Sequence, residues 1–209
     1  MDYSSYKQLE FRRKFFKLFG AEITVFDGTT DATIGFIKMK AWKLKEDIRL
    51  FRDSTQQQEI MAIHARNIID FGATYDVIDS ASGTALFSLR RSGIRSTFLR
   101  GHWVIQDSCE TPLAEILETS SALALARRYF GIIPYVGGIL DLAFAFVPQT
   151  FAIYHAADGS KQLAATITHR KNPFIVKMQL DRSAAQVEID ARISIAATAL
   201  LSVIDATKS

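Results

Sequence analysis

The sequence predicts a mainly β fold, in which about twelve antiparallel strands close into a barrel around a central hydrophobic C-terminal α-helix, with a helical insert. Three observations predict it: alternating apolar segments occur in pairs around polar turns, the turns carry aspartates at nearly regular intervals, and the chain ends in a segment that is apolar on every side. A barrel of twelve strands is too wide for its own side chains to fill, so we expect the apolar helix inside it. We expect residues 1–209 to form a single domain.

The first apolar segment, residues 9–19, mixes aromatic residues with cations. One interpretation is an amphipathic helix at a membrane interface, because such helices combine aromatic and basic faces. The other is the opening strand of the barrel. In either case its basic residues would enlarge a positively charged surface.

Four hairpins are predicted in the first 117 residues. Each has two alternating apolar segments around a turn with an aspartate, and these aspartates, Asp27, Asp53, Asp79 and Asp107, are spaced by 26, 26 and 28 residues. Aspartate suits a turn because its carboxylate accepts hydrogen bonds from the backbone that follows it. The predicted strand pairs are residues 23–28 and 33–37, 48–53 and 59–63, 75–79 and 83–87, and 103–107 and 112–116.

Two further hairpins follow after a long interruption. The fifth pairs residues 150–154 with 162–167 around Asp158 and Gly159. The sixth is less regular and pairs residues 174–180 with 186–189 around a turn at 181–183. Six hairpins supply about twelve strands, and closing them into a barrel removes exposed sheet edges.

The interruption, residues 118–149, predicts a helical insert. Its apolar part contains Pro134 and two adjacent glycines, which make it a poor membrane span. Three interpretations remain: a helical hairpin packed on one end of the barrel, a contact with a second copy of the chain, and an element that dips into a membrane. The candidate membrane contacts are the apolar turn residues Ile132, Ile133, Tyr135 and Val136.

The last predicted element is a helix over residues 191–206. Between Arg192 and Asp205 it contains no charge, and a helix that is apolar all round is surrounded by protein or lipid. At about 1.5 Å per residue it reaches about 24 Å, less than a usual membrane span. Its many small residues suit close packing, so we expect it in the barrel lumen.

The order of repeats and the terminal helix resemble the tubby C-terminal-like superfamily, and most closely its LURP-one-related branch, with the phospholipid scramblases as relatives. The segments that carry the resemblance are residues 75–83, 87–91, 103–105 and 199–205, and it extends over residues 8–117 and 150–206. The resemblance implies a twelve-stranded barrel around a central helix, with residues 9–19 as the opening strand. It also implies action at membranes, since tubby domains bind phosphoinositide headgroups.

The composition of the chain narrows the range of functions to be expected. The net charge of +3 argues against a dedicated nucleic-acid-binding protein, and the single cysteine, Cys109, excludes an internal disulfide. Residues 1–10 lack the apolar core of a signal peptide, so we expect a cytoplasmic protein, peripheral at the membrane. Catalytic and EF-hand motifs are absent from the sequence and the four histidines are far apart, so we expect no enzyme activity, cofactor or metal.

Two basic clusters are the candidate headgroup-binding residues: Lys38 and Lys40, and Arg90, Arg91 and Arg95. Arginine binds phosphate bidentately and lysine binds it as a point charge. The Lys-x-Lys spacing is similar to the paired basic residues that tubby domains use. The expected function is non-enzymatic binding of anionic or phosphoinositide lipid headgroups. The alternative is an intracellular structural or protein-interaction module without lipid binding, whose basic residues form an ordinary solvated face.

Overall fold

The computed structural model describes residues 3–14, 21–40, 47–67, 72–92, 102–119, 148–156, 160–170 and 175–206. These residues form twelve strands and one helix. The strands are β1 (Gln8–Lys14), β2 (Ala21–Asp27), β3 (Thr33–Lys40), β4 (Asp47–Phe51), β5 (Glu59–Asn67), β6 (Thr74–Asp79), β7 (Ala85–Arg91), β8 (Trp103–Gln106), β9 (Pro112–Glu118), β10 (Gln149–His155), β11 (Gln162–Arg170) and β12 (Ile175–Asp181), and the helix is α1 (Ala191–Ala206). The insert predicted at 118–149 lies mostly outside the described residues.

The strands form one closed antiparallel barrel in which each strand pairs with its neighbours in sequence, and β1 pairs with β12 to close the wall. This confirms the predicted fold class. It also confirms the opening strand, because Gln8–Lys14 forms ladders with both β2 and β12. The amphipathic-helix interpretation is wrong for these residues.

The prediction of the sixth hairpin is wrong in its second half. Residues 186–189 form no strand, although Val187 and Ile189 pack partly buried against the core. The reason is competition for an edge: β11 occupies one side of β12 and β1 occupies the other. A strand pairs on two edges only, so the apolar residues of this segment contribute by packing.

The aspartates organise the turns as predicted. In five turns an aspartate Oδ1 accepts a hydrogen bond from the backbone N–H two residues later: Thr29 to Asp27 at 2.9 Å, Thr55 to Asp53 at 2.8 Å, Ala81 to Asp79 at 2.9 Å, Cys109 to Asp107 at 2.8 Å, and Ser183 to Asp181 at 2.7 Å. The β6–β7 turn also contains Gly83 at φ 69°, a conformation that glycine adopts without steric cost.

The helix α1 begins and ends where the sequence predicts and lies in the core. Ala196, Ala197 and Val203 are fully buried, and no membrane-spanning helix occurs among the described residues. Three buried polar side chains follow one another at four-residue intervals: Ser194, Thr198 and Ser202. Their hydroxyls donate to carbonyls of the helix itself, at 2.9, 2.7 and 2.7 Å, so the lumen needs no polar group to receive them.

The barrel has two different ends. At one end, called here the turn end, lie the aspartate turns and the start of α1, where Asp190 Oδ1 accepts from the Arg192 N–H at 2.9 Å and caps the helix. At the other, the insert end, the chain connects β1 to β2, β3 to β4, β5 to β6, β7 to β8, β9 to β10 and β11 to β12. The insert belongs to the β9–β10 connection.

Candidate functional site

The two ends differ in charge. The six connections at the insert end contain eight lysines and arginines but three aspartates and glutamates in their sequences. The connections at the turn end, with the segment that joins β12 to α1, contain three basic and seven acidic residues. In sequence, the connections between strand ends at the insert end therefore have an excess of basic residues and those at the turn end an excess of acidic residues, although the chain as a whole carries only +3.

The first predicted pair lies on β3. Lys38 is paired with Glu22 on β2 and Arg49 on β4, and it occupies the outward-facing register of the strand, since Ile37 beside it is fully buried. Its Nζ donates to Gln56 Oε1 at 2.9 Å, which leaves two N–H donors for a phosphate. Lys40 ends the strand at the insert end, and its side chain lies outside the described part.

In the second predicted cluster, Arg90 and Arg91 lie on opposite faces of the barrel wall. Arg90 is exposed on the outside of β7, and among the described residues it has no ion pair. Arg91 is paired with Trp103, which belongs to the core, so Arg91 occupies the inward-facing register at the mouth of the barrel. Arg95 lies outside the described residues. Adjacent arginines on a strand face opposite sides, so these two cannot form one outer patch.

Lys38 and Arg90 do not form one patch, since the Lys38 ammonium lies against Gln56 in the β4–β5 connection of the turn end, whereas Arg90 lies near the end of β7 at the insert end. Three strands, β4, β5 and β6, separate β3 from β7 in the wall. At about 4.8 Å between neighbouring strands, they are roughly 19 Å apart around the circumference. The two side chains are therefore too far apart to bind one phosphate group between them.

The insert begins and ends at this same end. Its flanking residues are joined by the backbone hydrogen bond from the Thr119 N–H to the Thr150 carbonyl, at 2.8 Å. The four predicted membrane contacts, Ile132, Ile133, Tyr135 and Val136, lie outside the described residues. The two ends of the insert nevertheless place its attachment beside the basic connections.

Sequence reasoning missed an outer ionic cluster on β1 and β12. Glu10 accepts a hydrogen bond from Arg12 and forms an ion pair with Lys177 at 3.0 Å. Burial raises the pKa of Glu10, but hydrogen bonds from Arg12, Lys177 and Gln179 outweigh this and lower it. Arg12 also lies over the ring of Phe26 at 4.2 Å. Arg12 and Lys177 are thus already paired with groups of the barrel wall and are poor candidates for binding a ligand.

A second group that was missed faces inward at the insert end. Arg13, Glu118 and His169 alternate with buried core residues of their strands, and His169 is 1% exposed. His169 lies near the end of β11 and is nevertheless almost fully buried. The inward register explains it, because a barrel strand buries one face along its whole length. The structure shows no metal-binding group among the described residues.

Comparisons with known proteins agree with the fold. A family model described as LURP-one-related matches residues 33–204. No curated protein and no solved structure matches the chain. The match includes ten of the twelve strands seen here, β3 to β12, and most of α1. The chain therefore belongs to the LURP-one-related family of the tubby C-terminal-like superfamily.

The strands that precede the match, β1 and β2, complete the wall, since β1 closes it against β12. The barrel and its helix are thus the structure of a LURP-one-related protein.

Proposed function

We propose that this protein is a non-enzymatic, peripheral binder of anionic membrane lipids, and that its insert end contacts the headgroups. The observation that carries the proposal is the separation of charge along the barrel, with eight basic and three acidic residues in the connections at the insert end. An anionic surface attracts this end and repels the acidic turn end. The charge separation therefore also orients the barrel on the surface.

The size of the attraction follows from the excess of charge. A basic residue close to an anionic leaflet contributes about 1 kcal/mol, so an excess of five positive charges contributes about 5 kcal/mol when all of them lie near the surface. This corresponds to weak, reversible binding, because a dissociation constant of about 1 mM already requires about 4 kcal/mol. Stable docking needs a second contribution, and insertion of the apolar turn at Ile132, Ile133, Tyr135 and Val136 would supply it.

Co-sedimentation with vesicles tests the proposal. The vesicles contain phosphatidylcholine alone, or phosphatidylcholine with phosphatidylserine or a phosphoinositide. We expect binding to the two anionic compositions and a steep loss of binding with added salt, because salt shortens the reach of surface charge. Stronger binding to the phosphoinositide at equal membrane charge would identify it as the preferred headgroup.

Matched variants locate the contact surface. Arg90→Glu at the insert end and Lys161→Glu at the turn end make the same change of charge, and both positions are exposed. Arg90→Glu should weaken binding to anionic vesicles, whereas Lys161→Glu should leave it unchanged. Ile133→Asp should weaken binding at every salt concentration. Equal effects of the two charge reversals, or no preference for anionic vesicles, would contradict the proposal.

A further inference from the structure

The segment before β1, residues 3–7, covers part of the turn end without pairing in the sheet. Tyr3 is 4% exposed and belongs to the hydrophobic core, and Tyr6 packs against the same core while it stays partly exposed. The centres of the two rings lie 6.4 Å apart. From the contacts of this segment we propose that residues 3–7 form a latch, which opens locally and exposes the start of α1 while the barrel itself stays closed.

Arg182 fastens the latch. Its Nη2 donates to the Tyr3 carbonyl at 2.6 Å and also to the Tyr6 carbonyl. Its backbone N–H donates to the Lys7 carbonyl at 2.8 Å. Hydrogen bonds from a charged donor are stronger than those between neutral groups, so much of the fastening depends on this one side chain.

The position of the latch allows it to open without breaking the wall. The ladder between β1 and β12 begins with the pair of Gln8 and Asp181, and residues 3–7 precede this pair. The hydrogen bonds of the Arg182 side chain to the latch are not part of any strand ladder. A segment outside the ladders opens at a lower free energy than the barrel as a whole.

The Tyr3 hydroxyl makes the closed latch costly. It is enclosed and has no hydrogen-bond partner among the described residues. Burial raises the pKa of Tyr3 to about 12, so the hydroxyl stays neutral at ordinary pH. A buried hydroxyl without a partner costs free energy, because it has given up its hydrogen bonds to water. Opening the latch returns these hydrogen bonds.

A cavity of about 430 Å³ lies between the latch, the β6–β7 turn and the start of α1. Tyr3 and Ser4 line it from the latch, and Ala191 lines it from the helix. The latch is therefore not packed tightly on the helix here, and a gap forfeits the attraction between facing atoms. Ile60 and Ile189 also line the cavity and pack against the core, so an open latch joins the cavity to the core.

Labelling of two buried positions on α1 with iodoacetamide, followed by mass spectrometry, tests the latch. Ser194→Cys lies in the first turn of the helix and Ser202→Cys near its other end, and both serines are buried and donate to carbonyls of the helix itself. Each variant is made in a Cys109→Ser chain, because Cys109 is exposed. We expect faster labelling at position 194 than at position 202, and equal rates would overturn the proposal.

Three variants of the latch complete the test. Arg182→Gln removes the charged donor and should raise the labelling rate of Ser194→Cys about tenfold, without changing that of Ser202→Cys. Lys7→Gln is the matched control, because the Lys7 ammonium makes only an exposed ion pair with Glu188 at 3.5 Å, and it should leave both rates unchanged. Tyr3→Phe removes the hydroxyl without a partner and should slow the labelling of Ser194→Cys.

Two results would overturn the proposal. One is an unchanged labelling rate of Ser194→Cys in Arg182→Gln, and the other is an equal rise at both positions, which would show that the whole barrel loosens. Labelling needs no vesicles, so its outcome is separate from that of the proposed lipid contact at the other end of the barrel.

Discussion

Leu200 tests the position of the central helix, because it is 1% exposed in the middle of α1 and belongs to the core. Leu200→Ala removes three buried carbon atoms from a closed lumen, where the surrounding strands cannot collapse fully. Substitutions of this kind cost about 2–5 kcal/mol in the free energy of unfolding. In a chain of this length about 1 kcal/mol corresponds to about 2–4 °C, so a loss of about 3 kcal/mol lowers the melting temperature by about 6–12 °C.

Thermal unfolding followed by circular dichroism measures this change. Leu200→Met is the matched control, because it nearly conserves volume and should cost less than about 1.5 kcal/mol. Leu200→Asp should be more destabilising than Leu200→Ala, since it places a carboxylate without a partner in an apolar lumen. If Leu200→Ala melts at the wild-type temperature, the helix is not packed inside the barrel and the reasoning is refuted.

Three further predictions concern the helix and the turns. Thr198→Val should change stability by less than about 1 kcal/mol in urea unfolding, because the hydroxyl donates only to a carbonyl of its own helix; a loss above about 2 kcal/mol would contradict this. Gly28→Ala should be destabilising in the same assay, because a Cβ at Gly28 would lie 2.9 Å from the Cβ of Gln8 on β1. Gly72→Ala should not be destabilising, because a Cβ at Gly72 would meet no atom within 4 Å, and equal effects of the two substitutions would contradict this. Hydrogen bonds, above all those from Thr29, lower the pKa of Asp27 from 3.8 to about 2. The Asp27 carboxylate therefore stabilises the fold above about pH 4, and this contribution is lost as the pH falls through about 2. Asp27→Asn should therefore unfold with a weaker pH dependence between these values, and an unchanged dependence would be inconsistent with the assignment.

The fold was predictable from sequence because its signals are local. The aspartate turns use contacts between residues two apart, and each strand carries its alternation within seven or so residues. The helix was predictable for a different reason: a segment without charge over its whole surface has to be enclosed. The bounds predicted for it, residues 191–206, are those observed.

The prediction of a second strand in the sixth hairpin failed because the pairing that closes the barrel, between β1 and β12, is not local. Residues 186–189 have the alternation of a strand, but β1, from the other end of the chain, occupies the available edge of β12. The pairing joins residues that are more than 160 positions apart, as in the pair of Glu10 with Gln179. No window of sequence contains the information that β1 forms this contact.

The candidate site was predictable only in part. The lysines and arginines were visible as clusters, and the alternation of β7 separates Arg90 from Arg91 once the strand is known. The cavity at the turn end was missed, because Tyr3, Asp79 and Asp190 lie far apart in sequence and meet only where the chain start, a hairpin turn and the helix start converge.

By itself, the sequence determined the hairpin repeat, the aspartate turns and the enclosure of the final helix, since each depends on neighbouring residues and on the exclusion of apolar surface from water. Only the tertiary structure decided which strands close the barrel and which connections start from each end, and hence that connections with a basic excess in their sequences share one end and those with an acidic excess share the other. The physical reason is that the charge of an end is a sum over six connections distributed along the whole chain. Antiparallel closure brings alternate connections together, and the overall charge of +3 conceals the difference between them.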